Sequence, residues 1–156
     1  DKKWNTDRYE KKIRDLSLVI KSININELPE LVGLVEVENK KVVEELVNSN
    51  NLKGGDYGIV HEESPDARGI DVALIYRKPE FKYLKHEKID VKFDFEPETT
   101  TRDILYVKGQ LTNNEMLHVF VNHWSSRRDG MEASEPKRTH AASLLHAKVD
   151  SIVKKR

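Results

Sequence analysis

The chain has 156 residues, the size of one ordinary domain, which excludes two full domains of usual size. Charged residues make up 35% of it and hydrophobic ones 37%, against about 25% charged in an average globular chain, so the core is modest and the surface heavily ionised. The 27 basic residues cancel the 27 acidic ones, which excludes a bulk positive field, and the absence of cysteine excludes disulfides, thiolate metal sites and a thiol nucleophile.

In chain order, Tyr9, Ile13, Leu16, Ile20 and Ile23 recur at steps of four and three, which predicts an amphipathic helix over 7–24 capped by Thr6 or Asp7. Leu31 to Val35 is an unbroken apolar run, as expected of a strand covered on both faces. Val42, Val43, Leu46 and Val47 then predict a second helix that stops in the polar, glycine-rich segment 48–55. From Tyr57 the period changes to two, and Ile70 to Tyr76 reads as a pleated strand. Residues 104–111 and 116–121 predict two strands of a hairpin turned at Thr112 to Glu115. A last helix is predicted to open at Ser134, with Ala141, Leu145, Val149 and Ile152 on one face. No repeat, linker or low-complexity stretch divides the chain. No apolar run reaches the ~18 residues that span a bilayer, and Asp1 to Trp4 lacks the character of a signal peptide, so any signal lies outside this chain and the compartment stays open. Helices at both ends with mostly antiparallel strands between them predict a layered α+β domain.

Chemistry concentrates in three places. Glu36, with Glu38 and Asn39, stands at the carboxyl end of the apolar strand, where a carboxylate either opens a helix or faces a cation. Hard ions such as Mg²⁺ accept one or two protein carboxylates plus water and substrate phosphate, so a single Glu there is adequate. Asn122-His123-Trp124-Ser125-Ser126-Arg127-Arg128 begins where the strand 117–121 ends. It reads as an anion site or as a polar strand exit with a structural histidine. Asp71, in the third place, either orients a histidine on a neighbouring strand or belongs to an Asp-Arg pair with its own loop, Asp66-Ala67-Arg68. Arg102-Asp103 is open between a phosphate contact and a structural pair. The other histidines, His61, His86, His118, His140 and His146, read as ordinary surface or core residues. No Gly-rich phosphate loop, dinucleotide fingerprint, serine-hydrolase elbow or H-E-x-x-H is present.

Taken in order, Leu31 to Asn39 (LVGLVEVEN), His61 to Arg77 (HEESPDARGIDVALIYR), Thr101 to Tyr106 (TRDILY) and Val121 to Arg128 (VNHWSSRR) resemble the endonuclease/exonuclease/phosphatase superfamily, nearest to its bacterial, deoxyribonuclease-like members. The resemblance implies part of a four-layer α/β/β/α sandwich of mostly antiparallel mixed sheets. It also implies a Mg²⁺-dependent phosphodiesterase or phosphomonoesterase, with phosphodiesters favoured over monoesters and Mn²⁺ as the alternative ion. By the resemblance Glu36 is the metal ligand, His123 contacts the scissile phosphate with Asp71 as its carboxylate partner, and Arg102, Asn122, Ser126 and Arg127 bind phosphate. Ser125 stands where bacterial members usually read proline. The family's opening asparagine strand, its Gly-Asp-x-Asn strand and its late histidine element do not occur in residues 1–156. The expectation is therefore a single incomplete domain carrying part of an active site, inactive alone and prone to self-association through exposed strand edges. The partners implied are a phosphate-ester substrate, nucleic acid among them, and the missing C-terminal half of the domain. The alternative is a non-catalytic interaction module that keeps the sandwich.

Overall fold

The computed structural model describes residues 3–24, 26–128 and 130–154. Helix α1 (Thr6–Ser22) starts one residue earlier than the periodicity predicts, because Asn5 and not Thr6 or Asp7 is the cap: its side-chain oxygen accepts from the Arg8 amide at 3.0 Å. Strand β1 (Leu31–Val37) leads into α2 (Lys40–Val47), capped in the same way by Asn39, which accepts from Val42 N at 3.0 Å. A 3₁₀ turn at Lys53–Gly55 precedes β2 (Tyr57–His61) and β3 (Asp71–Arg77). Then come β4 (Phe81–Ile89), the hairpin β5 (Ile104–Leu111) and β6 (Met116–Val121), and the long α3 (Met131–Val153). Asn114, at φ +69°, makes the left-handed step of the hairpin turn.

The strands form two three-stranded sheets, ordered β1-β3-β2 and β4-β5-β6, with every neighbouring pair antiparallel. Side-chain parity builds the layers. On β3, Ala73 and Ile75 join Ile20, Val43 and Leu46 beneath α1 and α2, whereas Val72 and Leu74 join Leu105, Val107 and Val121 between the sheets. On the far side Ile104 packs with Val91, Phe93 and Ala141 under α3. The order is helix, sheet, sheet, helix: an α+β sandwich. The strand covered on both faces is β3, the centre of its sheet. Leu31 to Val35 belongs to an edge strand instead, and Val35 is 50% exposed.

Two further features depart from the sequence reading. The segment Phe81–Ile89 forms β4, an edge strand whose Lys82, Lys85 and Lys88 obscure its alternation; lysines on an edge also discourage pairing with other chains. Helix α3 begins at Met131, before the predicted Ser134, and carries Pro136 inside it; the buried Ser134 hydroxyl donates back to the Gly130 carbonyl at 2.6 Å.

Candidate active site

The site begins with a defect in β1. The register pairs Val35 with Val72 and then Val37 with Asp71, so Glu36 is an extra residue, a β-bulge, at φ +58°. In an unbroken strand Glu36 would share the helix-side parity of Val32 and Leu34 and stand opposite Asp71. The bulge gives that position to Val37, which is 7% exposed in the core beneath the helices. Glu36 turns out at the strand's mouth, its side chain 63% exposed and Oε1 3.8 Å from His123 Nε2. The left-handed conformation costs a non-glycine residue about 1–2 kcal/mol. That strain holds a carboxylate beside an imidazole.

His123 follows the end of β6, which lies against β1: a Cβ on Gly33 would meet Val121 at 3.5 Å. Its loop is clamped from below by Arg102. Nε and Nη2 of Arg102 donate to the His123 carbonyl at 3.0 and 2.7 Å, Nη2 also to the Trp124 carbonyl at 3.0 Å, and Nη1 to Asp66 Oδ2 at 2.8 Å. The side chains of Arg102 and Asp66 are only 7% and 4% exposed. Asp66 Oδ1 in turn accepts from the amide and Nε of Arg68. Burial alone would raise the Asp66 carboxyl, but the hydrogen bonds from Arg102 and Arg68 outweigh it and hold the group below the usual carboxylate range. Burial first, and then the Arg102 charge, push His123 below the usual imidazole range, with Glu36 pulling weakly the other way. His123 is accordingly neutral near pH 7. Its Nδ1 is buried without a hydrogen-bond partner among the described residues.

Of the residues singled out in the sequence, the structure brings Glu36 and His123 together. Asp71 is not the partner of His123. Its Oδ2 lies 3.0 Å from His61 Nε2 and its Oδ1 accepts from Ser64 N at 2.8 Å, because its parity on β3 points it to the helix side, where the end of β2 places His61. Arg102 is a buried clamp whose Nε, Nη1 and Nη2 all donate within the protein, so the expected phosphate contact gives way to a positioning one. Asn122 also serves the loop: Oδ1 accepts from Trp124 Nε1 and Nδ2 donates to the Phe120 carbonyl, both at 3.2 Å. Ser126 accepts from the Arg128 amide at 3.4 Å, and Ser126 and Arg127 are exposed at the loop surface. Asp66 as the counter-ion of Arg102 was not apparent from the sequence, because the two lie 36 residues apart; that Asp71 orients a histidine on a neighbouring strand was one of the two readings, but His61 was not identified as that histidine. The Asp-Arg pair within the loop does form, between Asp66 and Arg68.

Two groups offer ligands for a cation. His61, Glu63 and Asp71 have ligand atoms within 4.8 Å of one another, but His61 and Asp71 are already bonded together, and a ring nitrogen suits softer ions than Mg²⁺. Glu36 is an exposed hard oxygen donor, and among the described residues no Lys or Arg pairs with it. The Glu36 mouth therefore fits a hard divalent ion better.

The Endonuclease/Exonuclease/phosphatase family matches residues 1–156. The chain belongs to this family. Its sandwich is also that of solved members and relatives. The catalytic domain of human Nocturnin with bound sulfate superposes with a TM-score of 0.70 at 14% identity, over 96% of this chain and 53% of that one. The endonuclease/exonuclease/phosphatase from Bacteroides vulgatus gives 0.65 at 19%, over 90% and 53%. D. rerio TDP2 complexed with single strand DNA product gives 0.64 at 19%, over 88% and 47%. The chain thus spans about half the length of each. Comparison with curated proteins gave no match.

Proposed function

We propose that this chain carries the phosphate-facing part of a divalent-metal-dependent phosphodiesterase site of nuclease type, with Glu36 holding Mg²⁺ or Mn²⁺ and His123 contacting the scissile phosphate. The observation that carries the reading is the Glu36 bulge, which holds an exposed carboxylate 3.8 Å from His123 Nε2 at the mouth of the sandwich. Family membership and the ligands named for two relatives, a sulfate and a DNA strand, support it.

A bound divalent ion supplies Lewis-acid polarisation of a phosphoryl oxygen. The chain's own groups do the rest. With Glu36 facing Nε2, the proton of the neutral His123 ring sits on Nε2 and its lone pair on the buried Nδ1, so Nε2–H is the donor for a phosphate oxygen as charge develops. Arg102 fixes the backbone that carries this donor. Arg68 is tethered to Asp66 through Nε, and its Nη groups have no partner among the described residues; with the exposed Arg127 it offers charge to the remaining phosphate oxygens. The other groups that complete in-line attack stand on the part of the fold that this chain does not cover.

The test is hydrolysis of bis(4-nitrophenyl) phosphate by the full-length parent of this chain, with and without Mg²⁺, beside its Glu36→Gln and His123→Ala variants. Metal-dependent turnover should fall about a hundredfold or more in His123→Ala. A loss below about threefold overturns the role of His123, and no turnover at all points to an interaction module on the same sandwich.

A further inference from the structure

The outer face of the second sheet changes character along its length. Beneath the middle of α3 it is apolar, where Ile104 and Phe120 pack with Ala141, Leu144 and Leu145. Further along, the register pairs Lys85 with Lys108 and Lys108 with His118, so three basic side chains stand in one cross-strand row on that face. A second bulge sets this up. The pairing passes from Tyr83–Gly109 to Lys85–Lys108, so Leu84 is the extra residue; in an unbroken strand Lys85 would share the face of Tyr83, toward the other sheet. From α3, Lys148, Ser151 and Ile152 close over the row, leaving a groove of about 440 Å³ walled also by Tyr106 and Met116.

Like charges directly opposite each other destabilise a sheet. In a chain of net charge zero, nothing in the overall composition forces such a row. The one acid on this stretch of the face, Glu87, is already taken by Lys148 at 2.5 Å, and Lys148 lies 4.8 Å from the Tyr106 ring. Among the described residues Lys85 and Lys108 have no acidic partner within 4.0 Å. The Tyr106 hydroxyl bonds His118 Nδ1 at 2.8 Å and fixes that ring in the row. The groove is thus a built concavity with uncompensated positive charge. Tyr106 is 2% exposed, so no base can stack on it, and recognition here is by charge alone.

We propose that this groove is a second anion site, which takes phosphate groups of a nucleic-acid strand. Residue 118 is five positions before His123, roughly 17 Å along an extended strand, and its side chain faces α3 and not the Glu36 mouth. The inference therefore stands independently of the reading of Glu36 and His123.

The experiment is the binding of a fluorescein-labelled single-stranded oligonucleotide in EDTA, followed by polarisation at several salt concentrations, for the protein, its Lys85→Gln/Lys108→Gln variant and Lys12→Gln/Lys21→Gln, which removes two exposed lysines from α1 on the opposite side of the sandwich. The groove variant should bind at least tenfold more weakly, with a salt slope smaller by about 1.4 for two lost phosphate contacts, while the α1 variant keeps the slope. Removing the like-charge pair should leave the Tm equal or higher, which separates lost binding from lost folding. Pyrophosphate, titrated against the His118 ring resonances, is the second arm. Should pyrophosphate shift them in the protein but not in the variant, with oligonucleotide affinity unchanged, the site takes a small phosphate ligand and the strand assignment falls. Should neither probe distinguish the variant from the parent, the proposal is overturned.

Discussion

The Arg102 guanidinium donates through both Nε, at 3.0 Å, and Nη2, at 2.7 Å, to the carbonyl oxygen of His123. A side chain two residues before β5 thereby sets the backbone position of the imidazole after β6, and the buried Asp66 neutralises its charge. Breaking a buried pair leaves one charge uncompensated, at about 3–5 kcal/mol. Arg102→Ala should destabilise the protein by that amount, measured by urea denaturation. Arg102→Lys keeps the charge but loses the fork, and should recover part of the stability while turnover stays depressed. Full activity in Arg102→Lys would remove the positioning role.

Under the proposed metal role, Glu36 trades strain against function. At φ +58° glycine is at ease, glutamate is strained and a β-branched residue more so. Stability should rank Glu36→Gly at or above the parent and Glu36→Val below it, spread over about 1–2 kcal/mol. Glu36→Gln should match the parent in stability. All three should lose metal-dependent turnover. Isothermal titration with Mn²⁺ beside the denaturation curves checks both halves, and a Glu36→Gln that still binds the ion as the parent does would move the metal elsewhere.

Periodicity made α1, α2, β3 and the β5–β6 hairpin legible as elements of a layered α+β domain; the four-layer order came from the family resemblance. The edge strand β4 was not legible, since Lys82, Lys85 and Lys88 interrupt the apolar alternation that marks a strand. In the site, Glu36 and His123 were legible as chemistry-bearing residues at strand ends. What spacing could not supply was the bulge that parts Glu36 from Asp71. A one-residue slip reverses which face each side chain takes, and nothing in Val35-Glu36-Val37 marks where that slip falls. The assignment of Asp71 to His61 follows from the same parity.

The protonation of His123 gives a pH dependence with a definite sign. Burial and Arg102 hold its folded pKa below the unfolded value of about 6.5. Above that pH both states are neutral and folding carries no proton cost. As pH falls through about 6.5, the unfolded chain takes a proton that the folded one refuses, so stability drops until the folded pKa is reached. His123→Asn should flatten this limb of the stability curve. An NMR titration should show the His123 ring still neutral where a free imidazole is half protonated, and Mg²⁺ at Glu36 should lower its midpoint further. A midpoint at or above about 6.5 would contradict the burial argument.

Asp71 and His61 give the last test, one that separates structural from catalytic carboxylates. Their side chains are 1% and 3% exposed, and Asp71 satisfies both His61 Nε2 and the Ser64 amide. Asp71→Ala leaves a buried ring nitrogen and a backbone N–H without partners, each at about 1–3 kcal/mol, so unfolding free energy should fall by roughly 2–5 kcal/mol. Asp71→Asn keeps an acceptor for Ser64 and should lose less. Because His123 draws no hydrogen bond from Asp71, its titration midpoint should be the same in Asp71→Asn as in the parent, and turnover by the folded fraction should change little. If the His123 midpoint instead moved down in Asp71→Asn, the two groups would be coupled across the sheet, and Asp71 would return to the site as the carboxylate behind the imidazole.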